Sequence, residues 1–322
     1  MRARTPRRLL ARPEDVHCLL FHAFCLGAYG LAFWLWLHPE DAGLSSLPAR
    51  LAFVAGASFL LGWISGIDVG VNFHNHAHRR VFRRPWLNRW MARTWTFSGG
   101  WPALFWEYAH VTVHHANLLG ERDWTLPHRR PDGSFENIYR YLLCHWPWRY
   151  GRHLWADIRA GRLPWASAWR EFGWFLLFWS VPFWIDPWMG VWLWALPHWL
   201  ANCVTMGSGM YVQHAGCVPR SGVAPVRHSN GFLSRFFNRT MFNIGYHVEH
   251  HDHPGVHWAD LPAFHDERRD ELIAAGAHFV PYGYYGAARR LATLRDPDAA
   301  LREFTADHAP GCEPPASQAE SA

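Results

Sequence analysis

Lysine is absent from the 322 residues: all 31 basic residues are arginine, against 26 acidic ones. Nothing in the chain matches an RNA- or DNA-binding motif. Most of the arginines sit beside aromatic or apolar stretches, so the positive balance suits a membrane surface better than nucleic acid. Cysteine is scarce as well. The six (Cys18, Cys25, Cys144, Cys203, Cys217 and Cys312) include no pair at zinc-ribbon or redox spacing, and a chain this long is no disulfide scaffold. They are expected to pack as small apolar residues in a reducing compartment. No segment repeats at a fixed period, which points to a single domain over residues 1–309. No small-residue cleavage site follows the basic segment from Met1 to Arg12, so the apolar stretch behind it reads as a membrane span and not as a cleaved signal. Residues 310–322, rich in Pro, Ser, Ala and Glu, lack a core-forming pattern and are expected to be disordered.

Half the residues are apolar and 22 are tryptophan. Four stretches approach the roughly 20 apolar residues that a bilayer requires: 16–37, 51–71, 169–185 and 188–206. The third is short, and Arg170 extends it by snorkelling to the interface. Asp186-Pro187 turns the chain straight back, giving two helical hairpins. An even number of spans puts the N-terminal tail, residues 72–168 and the C-terminal part on one side. Only Arg50 lies in a loop on the other side, and the positive-inside rule makes the arginine-rich side cytosolic. The expected fold is therefore an all-α membrane protein, four transmembrane helices in two hairpins, with a cytosolic helical cap. Its expected place is the bacterial inner membrane, with both termini cytosolic. Segments 79–108 and 138–158 alternate Arg with Trp, Phe and Tyr, as interfacial helices do.

Nineteen of the 23 histidines fall on the cytosolic side, and the decisive ones cluster. His74 and His78 are one helical turn apart and share a face, with His76 pointing elsewhere. On an α-helix, His110, His114 and His115 (i, i+4, i+5) would share one side, and so would His247, His250 and His251 (i, i+3, i+4). His214 stands alone past the fourth apolar stretch. Imidazole suits Zn, Cu, Fe and Ni, and eight or nine imidazoles exceed what one ion accepts, so two metals follow. Helices leaving the membrane at one face would bring the clusters together, as facing helices do in soluble dimetal bundles. Neutral ligands need acceptors for their far N–H groups. Asp68, Glu107, Asp123, Glu249 and Asp252, with Asn243, are placed to serve. Asp68 is the most telling, because an ionisable residue near the end of an apolar span is costly unless paired or facing a wet site. His76, His128, His145, His153, His228, His253 and His257 stay outside the ligand set.

The three boxes, HxxxH (His74 to His78), HxxxHH (His110 to His115) and HxxHH (His247 to His251), resemble those of the membrane fatty acid desaturase and hydroxylase superfamily over about Asp68 to Pro262. The string from Asn243 to Pro254, Asn-Ile-Gly-Tyr-His-Val-Glu-His-His-Asp-His-Pro, is similar to the third box of lipid and sphingolipid desaturases. The resemblance implies a non-haem diiron centre, O2 as oxidant, and a long-chain lipid whose C–H bonds are attacked. The three residues between His110 and His114 look more like the alkane hydroxylases than the HxxHH of acyl desaturases. His214 resembles the isolated ligand of both branches, but position 210, where some acyl desaturases place an assisting Asn, is Met. The third box and the four-span layout favour desaturation of a fatty acyl or related substrate. Hydroxylation or ketolation of an alkyl, fatty acyl or carotenoid substrate, and oxidative loss of a carboxylate to a terminal alkene, remain within the same resemblance. A non-catalytic membrane protein that stores or moves a divalent metal is the reading from another class, and the few ionisable residues within the spans speak against it.

The chemistry needs single electrons, and no fused carrier domain is recognisable. A separate ferredoxin, rubredoxin or cytochrome is expected to dock on the arginine-rich face, which favours an acidic partner. His114→Ala and His250→Ala should each abolish activity and strip bound iron, measured as iron per chain in protein made under iron-replete conditions. His76→Ala should do much less; a His76 variant as iron-poor as the other two would show that the ligand register of the first box is wrong.

Overall fold

The computed structural model describes residues 9–127, 134–222, 224–293 and 296–307, apart from the side chains of 145–147 and 293. The tail expected to be disordered, His128 and the ring of His145 lie outside the described residues. The chain is mostly helical and divides into two compact units that interleave in sequence. One comprises residues 1–107 and 158–205, the other residues 108–157 and 206–322.

In the first unit two helices are long and apolar enough to cross a membrane, Asp15–Leu37 and Leu47–His78. Ser46 caps the second, its hydroxyl accepting from Ala49 N at 3.4 Å, with Pro48 in the first turn. The first two expected spans lie within these helices. The 169–185 stretch forms two helices, Trp165–Trp179 and Val181–Ile185, which meet at Ser180, where Pro182 cannot continue the backbone ladder. Asp186 then caps the next helical segment, accepting from Met189 N at 2.8 Å. From Pro187 onward the 188–206 stretch is helical throughout, with π-turns at Gly190–Ala195 and Leu200–Met206.

The surface of this unit is apolar where a water-soluble protein would be polar. Leu20, Phe24 and Leu31 on the first helix and Leu51, Phe59 and Leu60 on the second are exposed. Contiguous apolar surface of this kind belongs against lipid or a partner. The core beneath it gathers Cys25, Tyr29, Leu61, Ile64, Leu193 and Trp194. Gly62 and Gly66, spaced as small residues are where membrane helices approach closely, let the Leu47–Ile67 helix meet residues 197–205. A Cβ on Gly62 would lie 2.7 Å from Leu200 Cβ, and one on Gly66 2.4 Å from Thr205 Cβ.

Asp68 is fully buried and surrounded by donors. It takes hydrogen bonds from His22 Nδ1 (2.6 Å), the Ser98 hydroxyl (2.7 Å), Trp95 Nε1 (3.1 Å) and Asn72 Nδ2 (3.2 Å). Three segments of the unit, around residues 22, 68 and 95, are tied through one carboxylate. The pairing that its cost demanded comes from this network, and no box histidine is among these donors. A buried carboxylate is stable only if both oxygens are satisfied, and these four groups use both.

The second unit is also largely helical and has one feature outside the all-α expectation. Asn230–Phe232 and His278–Val280 pair as two parallel three-residue strands. Strands this short carry no periodicity that a sequence pattern could show. Gly231 is required there, because a Cβ would stand 2.2 Å from the Phe279 ring.

Gly66→Ala should destabilise the protein by about 1–3 kcal/mol through overpacking against Thr205, read as a lower melting temperature in detergent. Gly56→Ala, in the same helix with nothing within 4 Å of the added Cβ, should not.

Candidate metal centre

The second box lies on a helix of an unexpected kind. Tyr108–His115 is a π-helix, in which the backbone bonds run from residue i to i+5. On it His110 Nε2 and His115 Nε2 lie 3.1 Å apart. His114 is turned off that line. The three rings stay together, with centroids 4.7–5.4 Å apart, but their Nε2 atoms part: those of His110 and His115 face each other, and that of His114 faces His251.

The third box divides by ordinary α-helical geometry. On His247–Asp252, His247 and His251 are a full turn apart and bring their Nε2 atoms to 3.0 Å, while His250 sits off that line. The loop before this helix is specified locally. Phe242 and Asn243 adopt left-handed backbone (φ 48° and 61°), a conformation that asparagine tolerates better than most residues. Gly245 follows where a Cβ would be 2.4 Å from Phe232 O. Asn238 closes the loop, accepting from Gly245 N at 2.9 Å and donating to Phe232 O at 2.7 Å.

Seven of the nine expected ligands thus fall into two sets within the second unit. His110, His115 and His250 form one, with His250 Nε2 3.2 Å from His115 Nε2. The other is built on His114, His214 and His251. There His114 Nε2 is 3.3 Å from His251 Nε2, and His247 Nε2 lies 3.0 Å from His251 Nε2 and 3.3 Å from His214 Nε2. The sets adjoin, since the His115 and His251 rings stack with centroids 4.3 Å apart. His74 and His78 lie in the first unit, their ring centroids 4.9 Å apart.

These separations test the fit to metal. Two nitrogens bound to one ion at about 2.1 Å stand about 3.0 Å apart at a right angle and about 3.4 Å apart at the tetrahedral angle. The observed 3.0–3.3 Å spacings fall in that window. Protonation states agree. Burial, and then neighbouring histidines, hold the pKa of His214 and His251 well below the usual value, so both rings are neutral with a lone pair to give.

The far side of several rings is held. His114 Nδ1 donates to Asp123 at 3.0 Å. Burial pushes the Asp123 carboxyl up, but His114 and the Thr125 hydroxyl outweigh it and leave its pKa below the ordinary value. His214 Nδ1 donates to the His228 carbonyl at 3.0 Å. The Gln213 amide lies 3.1 Å from His247 Nδ1. A ring that gives Nε2 to a metal keeps its proton on Nδ1, so ligation requires this amide to present its oxygen there. With Nδ1–H fixed, the Nε2 lone pairs of His114 and His214 face the interior of their set.

Of the six residues expected to support the ligands, Asp123 alone holds a box ring among the described residues. Asp68 serves the network around residues 22, 68 and 95. Glu107 pairs with Arg80. Asn243 is a left-handed turn residue whose amide donates to Trp258 O at 3.1 Å. Glu249 pairs with His265, and Asp252 binds Arg220 and Arg268, each at 2.8 Å. In each case a cationic, imidazole or carbonyl partner nearer than any ligand ring takes the group. The sequence reading missed Thr125, Gln213 and the carbonyl of His228. Gln213 adjoins His214 and was within reach of a pattern argument; a backbone carbonyl fourteen residues away carries no sequence signal. His76 is buried against the Trp95 ring, outside both sets. His228 is also buried, and its burial, with Arg220 3.1 Å away, lowers its pKa to about 4.

A profile of the family described as "Fatty acid desaturase" matches residues 48–283. Two relatives are each named "Beta-carotene ketolase". That of Paracoccus sp. (strain N81106 / MBIC 01143) is 28% identical over 243 residues, covering 72% of this chain and 88% of the relative. That of Paracoccus sp. (strain PC1) is 30% identical over 242 residues, covering 72% and 84%.

Removing the carboxylate behind His114 should loosen the metal without touching a ligand. Asp123→Ala should lower metal affinity by about 10–100-fold, measured by competition with a chelator, whereas Asp252→Ala, whose partners are arginines, should leave it within a few-fold.

Proposed function

The chain belongs to the fatty acid desaturase family, an oxidoreductase family, and from that premise we propose that it is an O2-dependent membrane oxygenase that hydroxylates and ketolates a long apolar hydrocarbon of the carotenoid type. The observation that carries the proposal is the division of seven histidines into two adjoining sets whose Nε2 atoms converge at metal-ligand spacing. Two iron ions are the proposed occupants, since imidazole donors suit iron and C–H oxidation needs a redox-active metal. When bound, that pair supplies the activation of O2. His114, His214, His247 and His251 are assigned to one ion and His110, His115 and His250 to the other. His74 and His78 are assigned as ligands on their spacing and ring proximity, and because a set of three leaves a redox ion short of donors.

The role of the chain's own residues is to hold the donors neutral and aimed. Asp123 keeps the proton of His114 on Nδ1, the His228 carbonyl does so for His214, and burial keeps His214 and His251 from taking up a second proton. Turning a CH2 group into a ketone takes two successive oxygenations. Each consumes one O2, two electrons and two protons, places one oxygen atom in a C–H bond and releases the other as water; the second gives a geminal diol that loses water. The electrons are proposed to come from a separate ferredoxin, rubredoxin or cytochrome. The two remaining apolar stretches, 169–185 and 188–206, are proposed to cross the membrane as a second hairpin, with the metal and both termini on the cytosolic side. Exposed Leu176, Leu177, Trp184 and Val191 support this reading.

Two observations favour oxygenation over desaturation: the ketolase relatives span most of their own length against this chain, and the second box has hydroxylase-like spacing. Desaturation of an acyl chain is the second reading, favoured by the third-box string from Asn243 to Pro254. The same metal centre serves both, and the position of the substrate carbon decides which occurs.

The full chain should be expressed in cells that make β-carotene, and pigments and acyl lipids compared by mass spectrometry with cells carrying the His250→Ala variant. The expected product is a carotenoid that has gained one oxygen and lost two hydrogens for each ketone formed. Unchanged carotenoids beside acyl chains that have lost two hydrogens would replace this reading with desaturation.

A further inference from the structure

Outside the histidine sets, the first unit contains a cavity of about 420 Å³ that belongs to no step of the proposed chemistry. It lies among the helices Pro85–Gly99, Ala103–Glu107 and Trp165–Trp179. Its charged lining is Arg80, Arg89, Arg93 and Arg170 with Glu107 and Glu171. Four guanidinium groups face two carboxylates, so the lining carries two positive charges in excess. Its size falls within the range of about 300–1,000 Å³ typical of small-molecule sites.

Three of the four arginines are fixed. Arg80 is paired with Glu107. Arg93 reaches both oxygens of Glu171, at 3.1 and 3.3 Å, and Arg170 reaches one of them at 3.1 Å. The Arg93 guanidinium is further held over the rings of Trp90 and Trp174, 5.1 and 5.3 Å from their centroids. Arg89 is different: it lines the cavity, is exposed, and makes no ion pair, hydrogen bond or ring contact among the described residues. A built cationic pocket with one uncommitted guanidinium is a site for an anion with several acceptor oxygens.

The surroundings identify the source of that anion. Trp86 and Trp90 on the Pro85–Gly99 helix and Trp165 and Trp169 on the Trp165–Trp179 helix, outside the lining but on the helices that supply it, are exposed. Beyond them the Trp165–Trp179 helix continues into exposed Leu176 and Leu177. Indole rings beside guanidinium groups, with aliphatic surface on one side, are the pattern of the head-group layer. A soluble phosphate would need no such rings.

We propose that this cavity binds the phosphate of an anionic phospholipid of the surrounding leaflet, with Arg89 as its principal contact and the exposed indole rings of the same helices at head-group depth beside it. The inference rests on the membrane reading above. That reading is checked separately, by whether the full chain stays with membranes under alkaline carbonate extraction.

The test is native mass spectrometry of the full chain, purified and delipidated in a neutral detergent, titrated with phosphatidylglycerol or with phosphatidylcholine of the same chains. Phosphatidylglycerol should bind in preference. Arg89→Gln should weaken it about ten-fold, the loss of about 1.4 kcal/mol, with phosphatidylcholine unaffected, and Arg89→Lys should recover part of the difference. Equal retention of the two lipids, or an Arg89→Gln variant that binds phosphatidylglycerol as well as the parent, overturns the proposal. Displacement of phosphatidylglycerol by excess inorganic phosphate would overturn the lipid assignment and make a soluble phosphate the ligand. Arg89 is exposed and unpaired, so its variants should fold; a parent-like melting temperature confirms this.

Discussion

Imidazole nitrogens brought within 3.0–3.3 Å of one another in a buried site impose the constraint on which the rest of the second unit depends. With their protons fixed on the far side, their lone pairs face each other, and only a cation between them turns that repulsion into cohesion. The surroundings act on this single requirement. Asp123 and the His228 carbonyl hold the protons at Nδ1, burial prevents a second protonation, and the Asn238–Gly245 loop sets the angle at which the third box enters. Metal affinity and folding are linked in such an arrangement, because the ligand geometry is assembled by the same contacts that pack the unit.

The second box, on a π-helix, serves both histidine sets. The Nε2 atoms at i and i+5 meet and that at i+4 turns to the neighbouring set, so a run of six residues reaches both. The third box does the same with i and i+4 against i+3. Each box is therefore divided between the two sets, and the His115–His251 stack is where they touch. The first box is preceded by another π-turn, Asp68–Phe73, consistent with the frequent occurrence of such turns at functional sites.

In the first unit the organising demand is solvent, not metal. Rows of exposed Leu, Phe and Trp suit a lipid environment, and in lipid any buried polar group must find its partners inside the protein. Asp68 satisfies this through His22, Trp95, Ser98 and Asn72, and close approach at Gly62 and Gly66 supplies packing that apolar burial alone does not provide between helices in lipid. The arginine-lined cavity lies in this unit, on helices that also carry exposed tryptophans.

Much of this was legible in the chain. Apolar run length located the first two long helices, because spanning a bilayer fixes a minimum length that composition alone reveals. Asp186-Pro187 marked a break, because proline after a capping residue starts a helix. Histidine spacing named the rings that gather, because ligation needs a particular side chain at a short local offset. The sequence could not say which ring joins which set, because that turns on which distant rings, His214, His250 and His251, the fold brings against each Nε2 of the second box. Nor could it assign the carboxylates: Glu107, Glu249 and Asp252 lie near box residues in sequence, yet Arg80, His265, Arg220 and Arg268 take them in space. Local chemistry and length are properties of the chain itself. The partner of a charged group depends on which distant residues the fold brings nearest, and only the tertiary structure decides that.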